Sequence, residues 1–186
     1  MLMRMLRAAA LSPALYEEVE KDKSLDREAV RVVAIVAIAD GIGLALYRMM
    51  RTGDLDLLRA LVWLAFGVIG GVFVYYVWAW VTQRVGGALY GARSGIGQVR
   101  RTLGYAQTPR ALAFFWFVPA VGPALGAIGW LWALVAGIVA IRQALDFSSG
   151  RAIVTVVVGW VVALVIFWLL AFLVGIPFFM VAGLEI

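Results

Sequence analysis

The run from Ala60 to Gln83 contains no charged side chain, and neither does the run from Ala152 to Leu184. A helix needs about 20 apolar residues to cross a hydrocarbon core of ~30 Å, so each run is long enough to span a bilayer alone. Two such segments exclude a soluble fold, and the composition agrees. The chain is 65% hydrophobic and 15% charged, whereas a soluble domain is about 45–50% apolar and ~25% charged. A membrane barrel would show alternating polarity in segments of about 10 residues; these runs are continuous. The fold class is therefore all-α, a polytopic membrane helix bundle.

Five membrane segments are expected. The first covers Ala29 to Met49, with Asp40 inside it, and the second covers Ala60 to Val81. The last begins at Ala152, crosses by about Val174 and changes direction near Gly175 and Pro177, where proline removes a backbone donor. Phe178 to Ile186 would then lie along the far interface. The third and fourth segments form a short hairpin turning at Val118-Pro119-Ala120-Val121-Gly122-Pro123. Residues 111–141 must supply both of its arms, whereas two full crossings would consume about 40 residues. The hairpin therefore either crosses with short or tilted arms or re-enters without crossing. Both versions return the chain to the side it left.

Lys and Arg fix the orientation, because basic loops stay cytoplasmic. With the N-terminus inside, the inner segments hold Arg4, Arg7, Lys21, Lys23, Arg27, Arg31, Arg84, Arg93, Arg100, Arg101, Arg110, Arg142 and Arg151. The outer loops hold only Arg48, Arg51 and Arg59. The N-terminus is therefore expected to be cytoplasmic and the C-terminus outside. Met1 to Leu11 carries Arg4 and Arg7 within a short apolar stretch and does not read as a cleavable signal, so the mature chain is expected to begin at Met1. Residues 1–28 read as a cytoplasmic amphipathic arm. Residues 29–186 read as the membrane domain, with a basic inner loop at 82–110.

In the arm, Met1, Leu2, Met3, Met5 and Leu6 offer an apolar face for the membrane surface. Ser12 and Pro13 then open a second helix as N-cap and first-turn proline. The loop at 82–110 holds Arg84, Arg93, Arg100, Arg101 and Arg110 and no acid. These five are expected to contact anionic lipid head groups or a partner, at about 1 kcal/mol for each basic residue near the surface. Gly95-Ile96-Gly97 is not a nucleotide loop, since no strand precedes it and no Gly-Lys-Ser/Thr follows. No nucleic-acid partner is expected, because topology already accounts for the inner charge.

The chain has no histidine and no cysteine. That removes Ser-His and Cys-His catalysis and most zinc, haem and iron–sulfur ligation. No catalytic residue, cofactor or metal site is expected, and the protein is not expected to be an enzyme. Asp40 is the one acid in mid-span. A charged carboxylate there costs roughly 2.5–3.5 kcal/mol on insertion scales, so it must face the bundle and be protonated or paired. It serves either as a proton or ion relay or as a structural hydrogen-bonding group. Helix packing is expected at the small-residue pairs Gly67 and Gly71, Ala133 and Gly137, and Gly159 and Ala163. Trp78, Trp80, Tyr75 and Tyr76 form an aromatic belt at the inner end of the second span, and Trp130 and Trp132 stand near the outer turn.

Five stretches in order resemble the Yip family, the Ypt-interacting proteins, in the form its bacterial members take. Leu6-Arg7-Ala8-Ala9 and Leu15-Tyr16-Glu17-Glu18-Val19-Glu20 precede the first span, and Ala39-Asp40-Gly41-Ile42-Gly43 lies within it. Leu103-Gly104-Tyr105-Ala106 precedes the third segment, and Arg142-Gln143-Ala144-Leu145-Asp146-Phe147 ends the fourth. The resemblance implies five spans with a cytoplasmic N-terminus, in a bacterial inner membrane. Eukaryotic members are implicated in vesicle trafficking and bind Rab GTPases. That role does not carry over, because this sequence lacks their longer cytoplasmic region and their Asp-Leu-Tyr-Gly-Pro stretch. Arg142 and Asp146 stand four apart and would share one helical face; with Gln143 they are expected to bind the Leu103 to Ala106 segment or a lipid head group.

The function expected is that of a non-enzymatic integral membrane protein. It would organise membrane or partner proteins through helix–helix and lipid contacts, with anionic lipids and a membrane protein as partners. An accessory transmembrane subunit of a large respiratory or photosynthetic complex is the alternative, followed by a small transporter using Asp40.

Overall fold

The computed structural model describes residues 1–53 and 57–175, and every regular element among them is helical. Two short helices, α1 (Leu2–Ala9) and α2 (Pro13–Lys21), precede the long α3 (Asp26–Thr52) and α4 (Leu57–Tyr90). Then α5 (Ile96–Ala106) leads into a 3₁₀ helix, Thr108–Phe117. The bundle is completed by α6 (Gly122–Ala144) and α7 (Ser149–Leu170), which continues as a π-helical turn over Ala171–Gly175. The expected bend at Pro177 and the interfacial tail from Phe178 to Ile186 lie outside the described residues.

Among the described residues, four stretches are long and apolar enough to cross a membrane: Lys23–Arg51, Ala60–Tyr90, Gly122–Ala144 and Ser149–Leu173. Their packing follows lipid logic. Large apolar side chains point outward: Leu61 and Ile69 of α4, Leu131 and Val135 of α6, and Val161, Val165 and Trp168 of α7 are all exposed. Between the helices lie small residues, among them Ala133, Ala136 and Ala140 of α6 and Ala152, Gly159 and Ala163 of α7. In lipid no hydrophobic force drives helices together, so association rests on close backbone approach, which small residues permit.

The largest fully buried side chains gather at one end of the bundle. Leu15, Tyr16 and Val19 of α2 meet Val99, Leu103 and Tyr105 of α5 there, with Val32 of α3, Tyr75 of α4 and Ile141 of α6 in the same core. This is termed the arm end, and the reversal between the 3₁₀ helix and α6 marks the turn end. The arm shares its core with the long helices instead of forming a separate surface layer. α1 buries Met5 and Ala8 and leaves Leu2, Met3 and Leu6 exposed. Ser12 and Pro13 do open α2, although the Ser12 side chain makes no capping bond. α4 runs on past Val81 to Tyr90, whose ring packs edge-on against Phe147 at 5.4 Å. Only residues 91–95 separate it from α5, so the basic stretch is mostly helix and not a flexible loop.

The 3₁₀ helix lengthens the first arm of the hairpin, though not to the ~30 Å of a hydrocarbon core. Its 10 residues extend about 20 Å at ~2.0 Å per residue, where an α-helix would reach about 15 Å. The 3₁₀ form is uncommon beyond 3–4 residues, because its hydrogen bonds are poorer and its side chains eclipse every third position. Here the eclipsed rows are used. Arg110, Ala113 and Trp116 form one row, Pro109, Leu112 and Phe115 a second, and Phe114 stacks edge-on with Phe117 at 5.6 Å in the third. The helix lies between α3 and α6, and both flanks require glycine. A Cβ on Gly43 of α3 would sit 2.4 Å from the carbonyl oxygens of Ala113 and Phe114, and one on Gly129 of α6 would sit 2.8 Å from that of Pro109. The chain then reverses over Val118–Val121, where Gly122 N donates to Val118 O at 2.8 Å.

Candidate functional site

The 3₁₀ row containing Arg110 faces Asp40. Arg110 Nη2 donates to Asp40 Oδ2 at 3.0 Å, and Arg110 Nη1 donates to Gln107 Oε1 at 2.9 Å. Its guanidinium also lies 3.8 Å from the centroid of the Trp130 ring on α6, a cation–π contact that gains strength where water is scarce. Only 9% of the Arg110 side chain and 21% of the Asp40 side chain remain accessible. The carboxylate offered by the sequence as a relay is thus held by an ion pair that joins α3 to the 3₁₀ helix, with α6 stacked behind. Arg110 Nε, Thr82 Oγ1 and Thr155 Oγ1 are buried without hydrogen-bond partners.

Arg101 is the second inward arginine. It projects from α5 with 4% of its side chain accessible and donates to Asp26 Oδ1 at 3.0 Å. It also donates to the carbonyls of Val19, at 2.9 Å, and Glu20. These belong to the last turn of α2, where carbonyls have no intrahelical partner. One guanidinium fork therefore caps α2, pairs with the start of α3 and is anchored on α5. Nearby, Gln98 accepts from Gly95 N at 2.7 Å, closing the N-terminus of α5, and donates to Glu20 Oε1 at 3.0 Å.

A third cluster clasps the arm. Glu18 accepts from Arg4 Nε at 3.0 Å and from Arg7 Nη1 at 2.8 Å; these bonds hold its carboxyl below the usual range. Glu28 accepts from Arg4 Nη1 at 3.2 Å and from the Tyr105 hydroxyl. Burial first, and then the Glu28 bond, raises the Tyr105 hydroxyl above its ordinary range. Tyr16 OH donates to Ala8 O at 3.1 Å, tying α2 back to α1.

The expected head-group contacts divide. Arg84 and Arg93 are exposed and Arg100 is half-buried. Arg84 lies over the Trp80 ring at 5.4 Å and Arg100 over the Tyr76 ring at 5.7 Å; Arg151 adds a third such pair over Tyr90 at 5.4 Å. Arg101 and Arg110 do not join this rim, because Arg101 is buried against Asp26 and the carbonyls of α2 and Arg110 is buried against Asp40. Their position in a basic stretch does not reveal this. Asp40, an acid in mid-span that must be protonated or paired, is the sequence signal that a partner has to come from elsewhere.

Arg142 and Gln143 are half-buried in the last turn of α6. Asp146 does not share a helical face with them, because α6 ends at Ala144. Asp146 takes a left-handed φ of 50°, with Asp146 N bonded to Gln143 O at 3.2 Å and Phe147 N to Arg142 O at 3.0 Å. That is a Schellman-type helix end, which Asp tolerates better than most side chains. Among the packing pairs, a Cβ on Gly159 would lie 2.3 Å from Thr82 Oγ1, one on Gly137 2.9 Å from Trp78 and one on Gly71 3.2 Å from Ala37. Ala133 and Ala163 are buried. Gly67 faces open space.

Among the described residues no group of three or more Asp and Glu side chains is placed to hold a metal ion. Asp40, Arg101 and Arg110 are spent on partners within the chain, while the accessible surface is apolar on its flanks and basic at the arm end. No curated protein matches the chain, and no solved structure matches it. The sequence model of the Yip1 domain matches residues 11–180, nearly the whole span from the turn before α2 to beyond α7. This multi-pass helical membrane protein belongs to the Yip1 domain family.

Proposed function

We propose that the chain is a non-enzymatic organiser of membranes or membrane proteins. In this reading it crosses a bacterial inner membrane in five segments, the 3₁₀ helix being the third, with its N-terminus and arm end in the cytoplasm. It acts through helix contacts on its apolar flanks and lipid contacts at its basic rim. The observation that carries the reading is the division of the arginines. Arg101 and Arg110 are consumed internally as structural clamps, whereas Arg84, Arg100 and Arg151 lie on aromatic rings at the arm end. Basic side chains on aromatic platforms suit the head-group layer of an anionic leaflet.

Photo-crosslinking in native membranes tests the reading. A crosslinker at Leu131 of α6 or Trp168 of α7, both exposed, is expected to capture one defined membrane protein or a second copy of the chain. Lipid adducts alone at both positions would contradict an organising role. Capture of many subunits of one large assembly would favour the accessory-subunit alternative.

A further inference from the structure

Arg27 and Arg31 of α3 and Arg100 of α5 surround an open groove of about 340 Å³, with Val30 and Asp26 completing its lining. Arg27 and Arg31 stand one helical turn apart and are exposed. Arg100 is held in place: its guanidinium lies 5.7 Å from the Tyr76 ring centroid, and its backbone carbonyl accepts from Tyr75 OH at 2.8 Å. The acid in the lining is already committed, since Asp26 pairs with Arg101 at 3.0 Å. The groove therefore carries an uncompensated surplus of positive charge.

The stripe on α3 continues below the arginines. Ile35, Ile38 and Ile42 follow Arg31 at helical spacing, and all three are exposed. From Arg31 to Ile42 the helix rises about 16 Å, about half of a ~30 Å hydrocarbon core. That is the depth of one leaflet.

We propose that this groove is a site for one anionic phospholipid. Its phosphate would lie among Arg27, Arg31 and Arg100, and an acyl chain would follow Ile35, Ile38 and Ile42. Guanidinium forks suit phosphate oxygens, which accept two parallel N–H bonds. A free phosphate would satisfy the arginines but leave the apolar stripe unused, so the occupant is a lipid. The inference rests on the arm end facing an anionic leaflet, and it narrows a diffuse basic rim to one place.

The test is binding of fluorescent phosphatidylglycerol to the full chain in a neutral detergent. Arg31→Gln and Arg100→Gln are each expected to weaken binding roughly fivefold, and the double variant about 25-fold. Lys21→Gln removes the same charge outside the groove, from an exposed side chain, and is expected to change affinity less than about twofold. Circular dichroism checks that each variant keeps its helices. Inorganic phosphate is expected not to compete, and phosphatidylcholine to compete poorly. Equal losses for Arg31→Gln, Arg100→Gln and Lys21→Gln would overturn the site while leaving the basic rim standing. Competition by inorganic phosphate would overturn the lipid as occupant, and no preference for anionic lipid in the unsubstituted chain would remove both the site and the rim.

Discussion

Arg110 donates to Asp40 across 3.0 Å although the two stand 70 positions apart in the chain. The contact fastens the 3₁₀ helix to the middle of α3, with the Trp130 ring of α6 stacked behind the guanidinium. Three separate segments of the bundle are thereby fixed by one side chain.

Asp40→Asn or Arg110→Gln should each destabilise the bundle by about 3 kcal/mol, because removing one partner strands the other charge in a poorly solvated place. The lower end of the range for buried pairs applies, since 21% of the Asp40 side chain stays accessible. The double variant Asp40→Val with Arg110→Met should recover most of the loss. Thermal unfolding in detergent reads all three, and full additivity of the single losses would contradict the pairing.

Gly43 and Gly67 should respond oppositely to alanine. At Gly43 the new methyl would meet the carbonyl oxygens of Ala113 and Phe114 at 2.4 Å, whereas at Gly67 it would meet nothing within 4 Å. Overpacking of this kind costs about 1–3 kcal/mol, and Gly→Ala in an open helix position gains up to about 1 kcal/mol. Melting temperatures of the two variants should move in opposite directions.

Arg101→Lys should loosen the arm despite keeping the charge. An ammonium group cannot reach Val19 O, Glu20 O and Asp26 together in the planar geometry of the fork. The expected loss is about 1.5–3 kcal/mol, typical of hydrogen bonds to charged groups. Trypsin should then cut faster at Lys21 and Lys23, while fragments from within α6 and α7 appear no sooner. Unchanged cleavage at the arm would show that Arg101 does not cap α2.

Acid should weaken the clasp of α1 on α2. The Glu18 carboxyl is held below its usual range by Arg4 and Arg7, so its contribution is complete above the unfolded value of about 4.3 and is lost as pH falls through the lower folded value. Because the cluster is solvent-exposed, the effect is small, about 0.2–1 kcal/mol. Hydrogen exchange of α1 amides should rise below about pH 4.3 in the unsubstituted chain, and Glu18→Gln should reduce that acid-dependent component to the part carried by Glu28.

Much of this architecture was legible in the sequence because a bilayer imposes a length. The uncharged runs after Arg59 and Arg151 could only become α4 and α7, and Val118-Pro119 could only turn. Asp40 was readable as a group that must face inward, but its partner was not, since pairing across 70 positions leaves no periodic trace. The 3₁₀ helix leaves as little trace: its rows repeat every third residue, a spacing that an α-helix also brings onto one face. Arg101 and Arg110 were misplaced because charge counting assigns a side, while burial depends on which acid lies opposite. Arg142 and Asp146 failed to share a face because α6 stops at Ala144, two residues before the spacing argument needs it to.

The topology is the claim on which the functional reading depends most, and the absence of cysteine makes it directly measurable. Single cysteines at Gly53, Ser94, Val121 and Ser148 can be labelled with a membrane-impermeant thiol reagent in intact cells. Gly53→Cys and Val121→Cys should label from outside, and Ser94→Cys and Ser148→Cys only after the membrane is permeabilised. Labelling of Ser94→Cys in intact cells, or failure of Val121→Cys to label there while Gly53→Cys does, would contradict a five-segment chain with its basic end in the cytoplasm.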